Sequence, residues 1–373
     1  MNDTYKELFS PYTLPNGIQL KNRIVMAPMT NFSSNPDGTV TEAEVNYYAR
    51  RSRGVSMVIT ACTFVTPNGK GFHGEFAGDR DEMIPSLKQL ATAIKEQGAK
   101  AILQIFHGGR MCPTELVPNG ELVSASEVPA TNSNNIPRAL TESEIEEIIH
   151  AFGETTRRAI EAGYDGVEIH GANGYLLQQF FSPHSNRRED RYGGSLEKRM
   201  TFPLAIVDEV KKVVETHADS SFIVGYRFSP EEAETPGITM EDTLALVDRL
   251  ADKDLTYLHV SLNEFFSLPR RGVENLSKTR IDYLLETINN RVPLIGVGSI
   301  YTAEDAKKAL SSGVALIALG RELIIDPDWV QKVAEGKEDE IMTKLHKDKQ
   351  DELVVPDPLW NAIVNTPGWF PIA

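Results

Sequence analysis

Residues 141–170 read TESEIEEIIHAFGETTRRAIEAGYDGVEIH. Up to residue 162 the apolar side chains recur at helical spacing, and Thr141 with Glu144 has the pattern of a capping box. Gly163 is typical of a position just beyond a helix end. The run 166–170 is short and apolar, like strands that are buried on both faces of a parallel sheet. This stretch therefore predicts one helix followed by one buried strand.

The same alternation recurs on both sides of this stretch. The expected strands are residues 22–29, 55–63, 99–106, 166–170, 221–228, 256–261, 292–296 and 314–320. The expected helices are residues 41–51, 81–97, 141–162, 196–215, 240–251, 278–289, 302–311 and 326–335. Eight strands that alternate with eight helices predict an α/β fold, a (β/α)8 TIM barrel, with a doubly wound parallel sheet as the alternative.

The connections between these segments differ in length. Helix-to-strand connections are short, whereas four strand-to-helix connections are long. These long loops are residues 64–80, 107–140, 171–195 and 262–277. In a barrel they lie at the carboxyl ends of the strands, the C-terminal face, where active sites are built. The turn signal Asn16-Gly17 predicts an N-terminal β-hairpin that caps the opposite end. We expect residues 1–373 to form a single domain, with residues 336–373 as a C-terminal tail.

The composition limits the possible partners. The chain of 373 residues has 53 Asp and Glu against 38 Lys and Arg, a formal net charge of −15. This charge disfavours nucleic acid and anionic membrane surfaces. No apolar run approaches the roughly 18 residues of a membrane span, so we expect a cytoplasmic protein. The two cysteines, Cys62 and Cys112, cannot supply a four-cysteine zinc or iron–sulfur site.

Two glycine-containing strand ends are candidates for a phosphate site. Gly298 and Ser299 follow the seventh expected strand, and Gly320 and Arg321 end the eighth. Glycines let backbone N–H groups approach an anion closely, and the loops after strands seven and eight of a barrel often bind phosphate. Ordinary turn geometry is the alternative for either glycine alone. The pair of adjacent ends favours a phosphorylated ligand or cofactor.

A polar cluster follows the fourth expected strand. It contains His170, Asn173 and Tyr175 on a glycine-rich turn. His170 and Asn173 could both donate hydrogen bonds to a developing oxyanion. Tyr175 stays protonated at neutral pH and could act as a general acid. The cluster lacks the carboxylates of a divalent-metal site, so we expect no metal.

Polar side chains also stand in or after other strands. Arg227 lies in an apolar strand, where a guanidinium needs an anionic partner. That partner is either Glu168 or a ligand. Gln104 is equally compatible with a satisfied amide inside the barrel and with a ligand contact. Cys62, at the end of the second strand, reads as a buried and inert thiol on these grounds alone.

Six segments carry a resemblance to a known family. They are KNRIVMAPMT at 21–30, QIFHGGR at 104–110, HGANGYL at 170–176, FSPHSNR at 181–187, DRYGGS at 190–195 and LGRE at 319–322. In this order they resemble motifs of the Old Yellow Enzyme family, which are FMN-dependent (β/α)8 oxidoreductases. The resemblance runs from about residue 7 to about residue 335. It implies one FMN-binding barrel domain over residues 1–373.

The resemblance also implies roles for these residues around FMN. The phosphate would be held by Gly298, Ser299, Gly320 and Arg321. The flavin ring would be contacted by Ala27, Pro28, Met29, Thr30, Cys62, Gln104 and Arg227. Within that set Gln104 would bond the pyrimidine edge, and Arg227 would stabilise the reduced flavin beside N1 and O2. The substrate would be bound by His170, Asn173, Tyr175 and Phe32, the last of which stands near a substrate-binding tyrosine of one branch.

The reaction implied by the resemblance has two halves. NADH or NADPH passes a hydride to flavin N5. A small electrophilic substrate, an α,β-unsaturated carbonyl compound, then receives the hydride at its β carbon and a proton from Tyr175 at its α carbon. His170 and Asn173 polarise the carbonyl group during this step.

Other functions remain open at this point. On the same scaffold they are reduction of quinones, nitro compounds or free flavin. From a different class they are a cofactor-free lyase or isomerase of a phosphorylated substrate, and a non-catalytic flavin-binding protein. The aromatic residues Trp360, Trp369 and Phe370 suggest that the tail packs against a neighbouring subunit. We therefore expect a homo-oligomer, a dimer or a tetramer.

Overall fold

A closed barrel of eight parallel strands forms the centre of the molecule. The computed structural model describes residues 3–131 and 133–373. The barrel strands are β3 (Ile24–Met26), β4 (Met57–Phe64), β6 (Lys100–Phe106), β9 (Gly166–Gly171), β10 (Ile223–Phe228), β11 (Tyr257–Val260), β12 (Leu294–Val297) and β13 (Leu316–Leu319). Each strand pairs in parallel with the next, and β13 and β4 both pair with β3, which closes the ring. The predicted (β/α)8 barrel is confirmed.

Short additional strands lie outside the ring. The pair β1 (Tyr12–Thr13) and β2 (Gln19–Leu20) is antiparallel. Strand β5 (Phe76–Ala77) adds to the end of β4. Strands β7 (Val123–Ser124) and β8 (Arg138–Ala139) pair within the long loop after β6.

Helices follow the barrel strands and cover their outer face. They are α1 (Glu42–Ser52), α2 (Ile84–Lys95), α3 (Glu142–Glu161), α5 (Leu196–His217), α6 (Met240–Ala251), α7 (Arg280–Ile288), α8 (Ala303–Leu310) and α10 (Trp329–Glu335). The shorter helices are α4 (Leu176–Phe181), α9 (Arg321–Ile325), α11 (Gln350–Leu353) and α12 (Asp357–Asn365). The predicted capping box of Thr141 and Glu144 is present on α3. None of the helices in the described ranges is long and apolar enough to cross a membrane.

Several predicted segments are longer than the observed elements. The first predicted strand, 22–29, pairs only over Ile24–Met26, because the chain then bends to line the cleft at the strand end. The predicted helix 81–97 begins at Ile84 after a 3₁₀ turn, and the predicted helix 326–335 begins at Trp329. The order and type of all sixteen predicted elements are nevertheless confirmed.

The N-terminal hairpin caps one end of the barrel, as predicted. Leu14 and Leu20 are almost fully buried. They belong to one cluster with residues that point into the barrel, among them Val25, Met57 and Ile102. The hairpin thus fills one end of the barrel interior, and the long loops lie at the other end.

The tail folds back on the barrel of its own chain. Helix α12 buries Leu359 and Ile363, and Phe370 near the chain end is 4% exposed. Leu345 and Ile372 form an isolated parallel bridge. Trp369 and Phe370 contribute to a cleft of this chain. The packing of the tail against a neighbouring subunit stays a prediction.

Candidate active site

A cleft of about 1060 Å³ opens at the carboxyl ends of the barrel strands. This size lies at the upper end of the range of ligand pockets, about 300–1,000 Å³. Of the predicted site residues, Ala27, Pro28, Met29, Asn173, Arg227, Gly298, Ser299, Gly320 and Arg321 line it. Predicted positions far apart in sequence are thus brought together in one cavity.

A smaller cavity of about 70 Å³ adjoins this cleft. Both cavities share Pro28, Met29, Asn173 and Arg227. The smaller one is also lined by Thr30, Cys62, Phe72, Gln104, His170 and Tyr175. The two cavities together therefore contain every predicted site residue except Phe32.

Phe32 lines neither of the two cavities. Its backbone is left-handed, with φ of 58°, and its ring packs on the edge of Phe72 at a centroid distance of 5.9 Å. Phe72, which the sequence analysis did not select, lines the smaller cavity instead. Phe32 thus lines neither cavity and contacts Phe72, which does; a substrate contact of Phe32 stays a prediction.

Arg321 stands at the end of the cleft where a phosphate is expected, here called the phosphate end. Its Nη2 donates to Ser299 Oγ at 2.9 Å, and its Nη1 donates to the carbonyl oxygen of Trp369 at 3.0 Å. Gly298 has φ of +146°, and a Cβ there would lie 2.5 Å from the backbone nitrogen of Phe265. Only glycine fits this turn, which leaves the neighbouring backbone open to the cleft.

Arg227 lies at the other end of the cleft with an incomplete set of partners. It is 8% exposed, and its Nε has no hydrogen-bond partner. The negative charge of Glu168 acts on Arg227, but the Glu168 oxygens accept hydrogen bonds from Gln104 Nε2 at 2.8 Å, from the Tyr257 hydroxyl at 2.9 Å and from His259 Nδ1 at 2.9 Å. A buried guanidinium with a free donor calls for an anionic or acceptor ligand.

These features fit the FMN that the sequence resemblance implies. The cleft offers Arg321 and a glycine turn at one end, where a phosphate would be held. At the other end the cleft is lined by Arg227, whose guanidinium would donate to the carbonyl edge of a flavin ring. The donor set therefore matches an elongated ligand with a phosphate and an acceptor-rich ring.

His170 is held as a neutral donor. It is 4% exposed, and its Nδ1 accepts a hydrogen bond from the backbone N–H of Ala172 at 3.2 Å. Burial, together with the positive charge of Arg227, lowers the pKa of His170 to about 3. The single ring proton of the neutral imidazole must therefore reside on Nε2, which is free to donate in the cavity.

Asn173 is held with its amide NH₂ available. Its backbone is left-handed, with φ of 57°, and its N–H donates to Ser229 Oγ at 2.8 Å. Its Oδ1 accepts from Ser261 Oγ at 2.9 Å and from Ser229 Oγ at 3.4 Å. With Oδ1 occupied in this way, the Nδ2 group of this cavity-lining residue remains the free donor.

Tyr175 stands in an aromatic wall beside His170. The two rings meet edge to face at a centroid distance of 5.1 Å, and Phe106 contacts Tyr175 at 4.6 Å. Burial, followed by the nearby Cys62 and Glu75, raises the pKa of Tyr175 above its usual value. The phenol therefore stays protonated and holds a proton at the cavity.

Several residues of the site were not found from the sequence. Ser229 and Ser261 follow β10 and β11 directly, and a polar residue at the carboxyl end of a barrel strand is a usable signal for them. Phe72 and Glu75 lie inside a long loop that has no periodic pattern. Trp369 reaches the cleft from the tail, and only the tertiary structure reveals this.

Comparison with known proteins gives a family and close relatives. The family model described as NADH:flavin oxidoreductase / NADH oxidase family matches residues 7–340. A protein of Bacillus subtilis strain 168 named probable NADH-dependent flavin oxidoreductase YqiG is 56% identical over 371 residues, which cover 100% of this chain and 99% of that protein.

Two further relatives are much longer proteins. One comes from Klebsiella pneumoniae and is named NADH:fumarate oxidoreductase. The other comes from Vibrio harveyi and is named NADH:acrylate oxidoreductase. Each is 44% identical over 95% of this chain. The chain spans only 38% and 35% of their respective lengths.

Solved structures with the same fold carry related names. Morphinone reductase in complex with tetrahydroNAD is similar with a TM-score of 0.75 and 29% identity, covering 88% of this chain and 91% of that one. An old yellow enzyme homologue from Zymomonas mobilis has a TM-score of 0.74 and 27% identity, covering 88% and 93%.

Proposed function

Because the chain belongs to the NADH:flavin oxidoreductase / NADH oxidase family, the Old Yellow Enzyme family, and is an FMN-dependent NAD(P)H oxidoreductase, we propose that it reduces the activated C=C bond of α,β-unsaturated carbonyl compounds. When bound, FMN supplies the redox chemistry, since it takes up a hydride from NAD(P)H and passes it to carbon. Membership of this oxidoreductase family excludes the cofactor-free lyase or isomerase.

One observation carries the proposal. Three protonated donors line the same small cavity: the Nε2–H of His170, the NH₂ of Asn173 and the hydroxyl of Tyr175. The first two would donate hydrogen bonds to the substrate carbonyl oxygen and stabilise the negative charge that develops there. Tyr175 would give its proton to the substrate α carbon. A carbonyl conjugated to a C=C bond needs this combination of two oxyanion donors and one acid.

The residues that would hold FMN are those that the family resemblance implies, and they line the cleft or the smaller cavity. Gly298, Ser299, Gly320 and Arg321 would bind the phosphate. Ala27, Pro28, Met29, Thr30, Cys62, Gln104 and Arg227 would line the ring. The chain has a net charge of −15, which repels an anionic ligand. The positive charges of Arg227 and Arg321, at the two ends of the cleft, would offset this repulsion locally.

The names of the longer relatives support the chemistry in outline. Fumarate and acrylate both carry a C=C bond conjugated to a carboxyl group, and NADH is the donor in both names. Those names belong to proteins of which this chain spans 38% and 35%. The support for an enone or enoate substrate therefore rests mainly on the three donors of the cavity.

The test uses the visible spectrum of the purified holoenzyme. We expect a flavin band that is bleached under anaerobic conditions by NADH or NADPH and restored by 2-cyclohexenone. Restoration by a quinone or a nitro compound but not by the enone would reject the proposal while leaving the oxidoreductase assignment intact. Parallel titrations with NADH and NADPH give the donor preference.

Two further expectations remain predictions. A homo-oligomer, a dimer or tetramer, is tested by sedimentation of the holoenzyme. A cytoplasmic location is tested by fractionation of cells that express the chain at its natural level.

A further inference from the structure

A tight turn beside the smaller cavity is closed by a buried carboxyl group. Glu75 is 2% exposed. Its Oε2 accepts hydrogen bonds from the backbone N–H groups of Gly71 at 2.7 Å and Phe72 at 3.1 Å. The side chain thus replaces two backbone acceptors and fixes the conformation of residues 71–75.

The other side of the same turn is packed equally closely. Gly74 has φ of +62°, and a Cβ there would lie 2.2 Å from the carbonyl oxygen of Phe32. The Gly74 carbonyl accepts from the backbone N–H of Ser34 at 3.1 Å. The turn is therefore held between Glu75 on one side and the loop after β3 on the other.

The turn carries Phe72 into the aromatic wall of the cavity. The Phe72 ring lies 6.1 Å from Tyr175, 6.0 Å from Phe106 and 5.9 Å from Phe32, measured between ring centroids. It meets the Tyr175 ring at 70°, an edge-to-face contact. Since such contacts depend on ring placement, a shift of Phe72 changes both the cavity wall and the support of the proton donor.

The carboxyl group of Glu75 also touches the cavity from behind. The thiol of Cys62, which lines the smaller cavity, lies against it. Burial raises the pKa of Glu75 well above its usual value and outweighs the two backbone N–H groups, which lower it.

We propose that Glu75 is a positioning residue of this active site: by closing the 71–75 turn it holds Phe72 against Tyr175 and so sets the wall of the substrate cavity. This inference rests on the proposed reduction of α,β-unsaturated carbonyl compounds. Glu75 lines neither of the two cavities and acts on the smaller one through Phe72. Its loss therefore weakens the binding of ligands in the substrate cavity.

The test compares Glu75→Ala with Glu75→Gln in FMN-loaded enzyme. The amide of glutamine offers the same acceptor to Gly71 and Phe72 and carries no charge. We expect Glu75→Ala to raise the dissociation constant of a bound phenol and the KM for 2-cyclohexenone by about five- to tenfold, the loss expected for a displaced aromatic contact. We expect Glu75→Gln to stay within about twofold of wild type.

The matched control is Glu115→Gln. Glu115 is an exposed carboxylate that reaches His73 of the same turn at 3.4 Å. The FMN content should remain within about twofold of wild type in all three variants. An unchanged phenol dissociation constant in Glu75→Ala would overturn the proposal, and so would a Glu75→Gln variant as defective as Glu75→Ala.

A second pair of variants keeps the test decisive if Glu75→Ala does not fold. Phe72→Ala should raise the phenol dissociation constant as much as Glu75→Ala is expected to, and adding Glu75→Gln should change it no further. An effect of Phe72→Ala below twofold would overturn the proposal. Failure of the proposed function gives a different result: the wild-type holoenzyme would then bind the phenol but would not reduce the enone.

Discussion

The Oδ1 atom of Asn173 accepts a hydrogen bond from the hydroxyl of Ser261 at 2.9 Å. The two residues are 88 positions apart and stand after different barrel strands. An amide side chain can present either its oxygen or its NH₂ group to a cavity. Here the hydrogen bond from Ser261, with a longer one from Ser229, occupies the oxygen and leaves the NH₂ group as the free donor.

We expect Ser261→Ala to weaken the oxyanion site. Without this hydroxyl the Asn173 amide loses its shorter anchor and rotates more freely, so a phenol should bind about fivefold more weakly, the equivalent of about one ordinary hydrogen bond. A visible titration of the holoenzyme measures this. Ser261→Thr keeps a hydroxyl and serves as the control. Equal phenol affinity in Ser261→Ala and wild type would show that Ser261 does not orient Asn173.

Tyr175→Phe should separate the two halves of the reaction. The variant keeps the aromatic contacts with Phe106 and His170 but holds no proton. We expect reoxidation by 2-cyclohexenone to slow by about 10²- to 10⁴-fold, the usual contribution of a general acid, while reduction by NADH changes little. Stopped-flow absorbance follows each half-reaction.

The control for this prediction is Tyr283→Phe. Tyr283 lies on α7 and donates its hydroxyl to the Asn275 carbonyl oxygen at 3.0 Å. It lines neither of the two cavities. Enone reoxidation at the wild-type rate in Tyr175→Phe would assign the proton to solvent or to another group.

Glu44 predicts a pH dependence of stability. It is fully buried, and its carboxylate accepts from the backbone N–H of Thr41 at 2.9 Å and from Ser34 Oγ at 2.9 Å. Burial outweighs these hydrogen bonds and raises its pKa from 4.5 to about 7. Since the folded state holds this proton more tightly than the unfolded state, its contribution is full below pH 4.5 and is lost as pH rises to about 7.

The measurement is the free energy of unfolding of wild type and Glu44→Gln from pH 4 to pH 8. We expect the difference between them to shift in favour of Glu44→Gln with rising pH, by an amount on the order of 3 kcal/mol. Ser34 and Thr41 belong to the segment after β3, so the same variant should also reduce the pH dependence of its proteolysis. A difference that is flat across this range would mean that Glu44 titrates at its ordinary pKa.

The barrel could be predicted because each of its units carries a local signal. Residues 141–170 contain a cap, a helical period, a glycine stop and a strand within thirty positions, and the structure reproduces each of them. His170 and Asn173 were predictable for a related reason. In parallel barrels the strand ends converge, so polar residues that follow strands become neighbours.

The residues that escaped prediction lie where no period applies. Phe72 and Glu75 belong to a loop whose conformation is fixed by side chain-to-backbone hydrogen bonds and by a contact with residues 32–34. Phe32 has a left-handed backbone, and its ring packs against Phe72 and does not line either cavity. Such positions depend on tertiary contacts and not on local sequence pattern.

The tail gives the last prediction. The carbonyl oxygen of Trp369 accepts from Arg321 Nη1, and residues 368–371 form one wall of the cleft. Deletion of residues 368–373 removes both the acceptor and the wall. Arg321 would then keep only its bond to Ser299, and FMN should bind about tenfold more weakly, as expected when a charge-assisted hydrogen bond no longer orients a guanidinium.

Trp369→Phe is the matched control, because the contact uses the main chain and survives this substitution. Fluorescence of free FMN in a dilution series measures the affinity of each variant. If the deletion retained FMN as tightly as wild type, Arg321 would be oriented without the tail, and the phosphate end would be complete within the barrel itself.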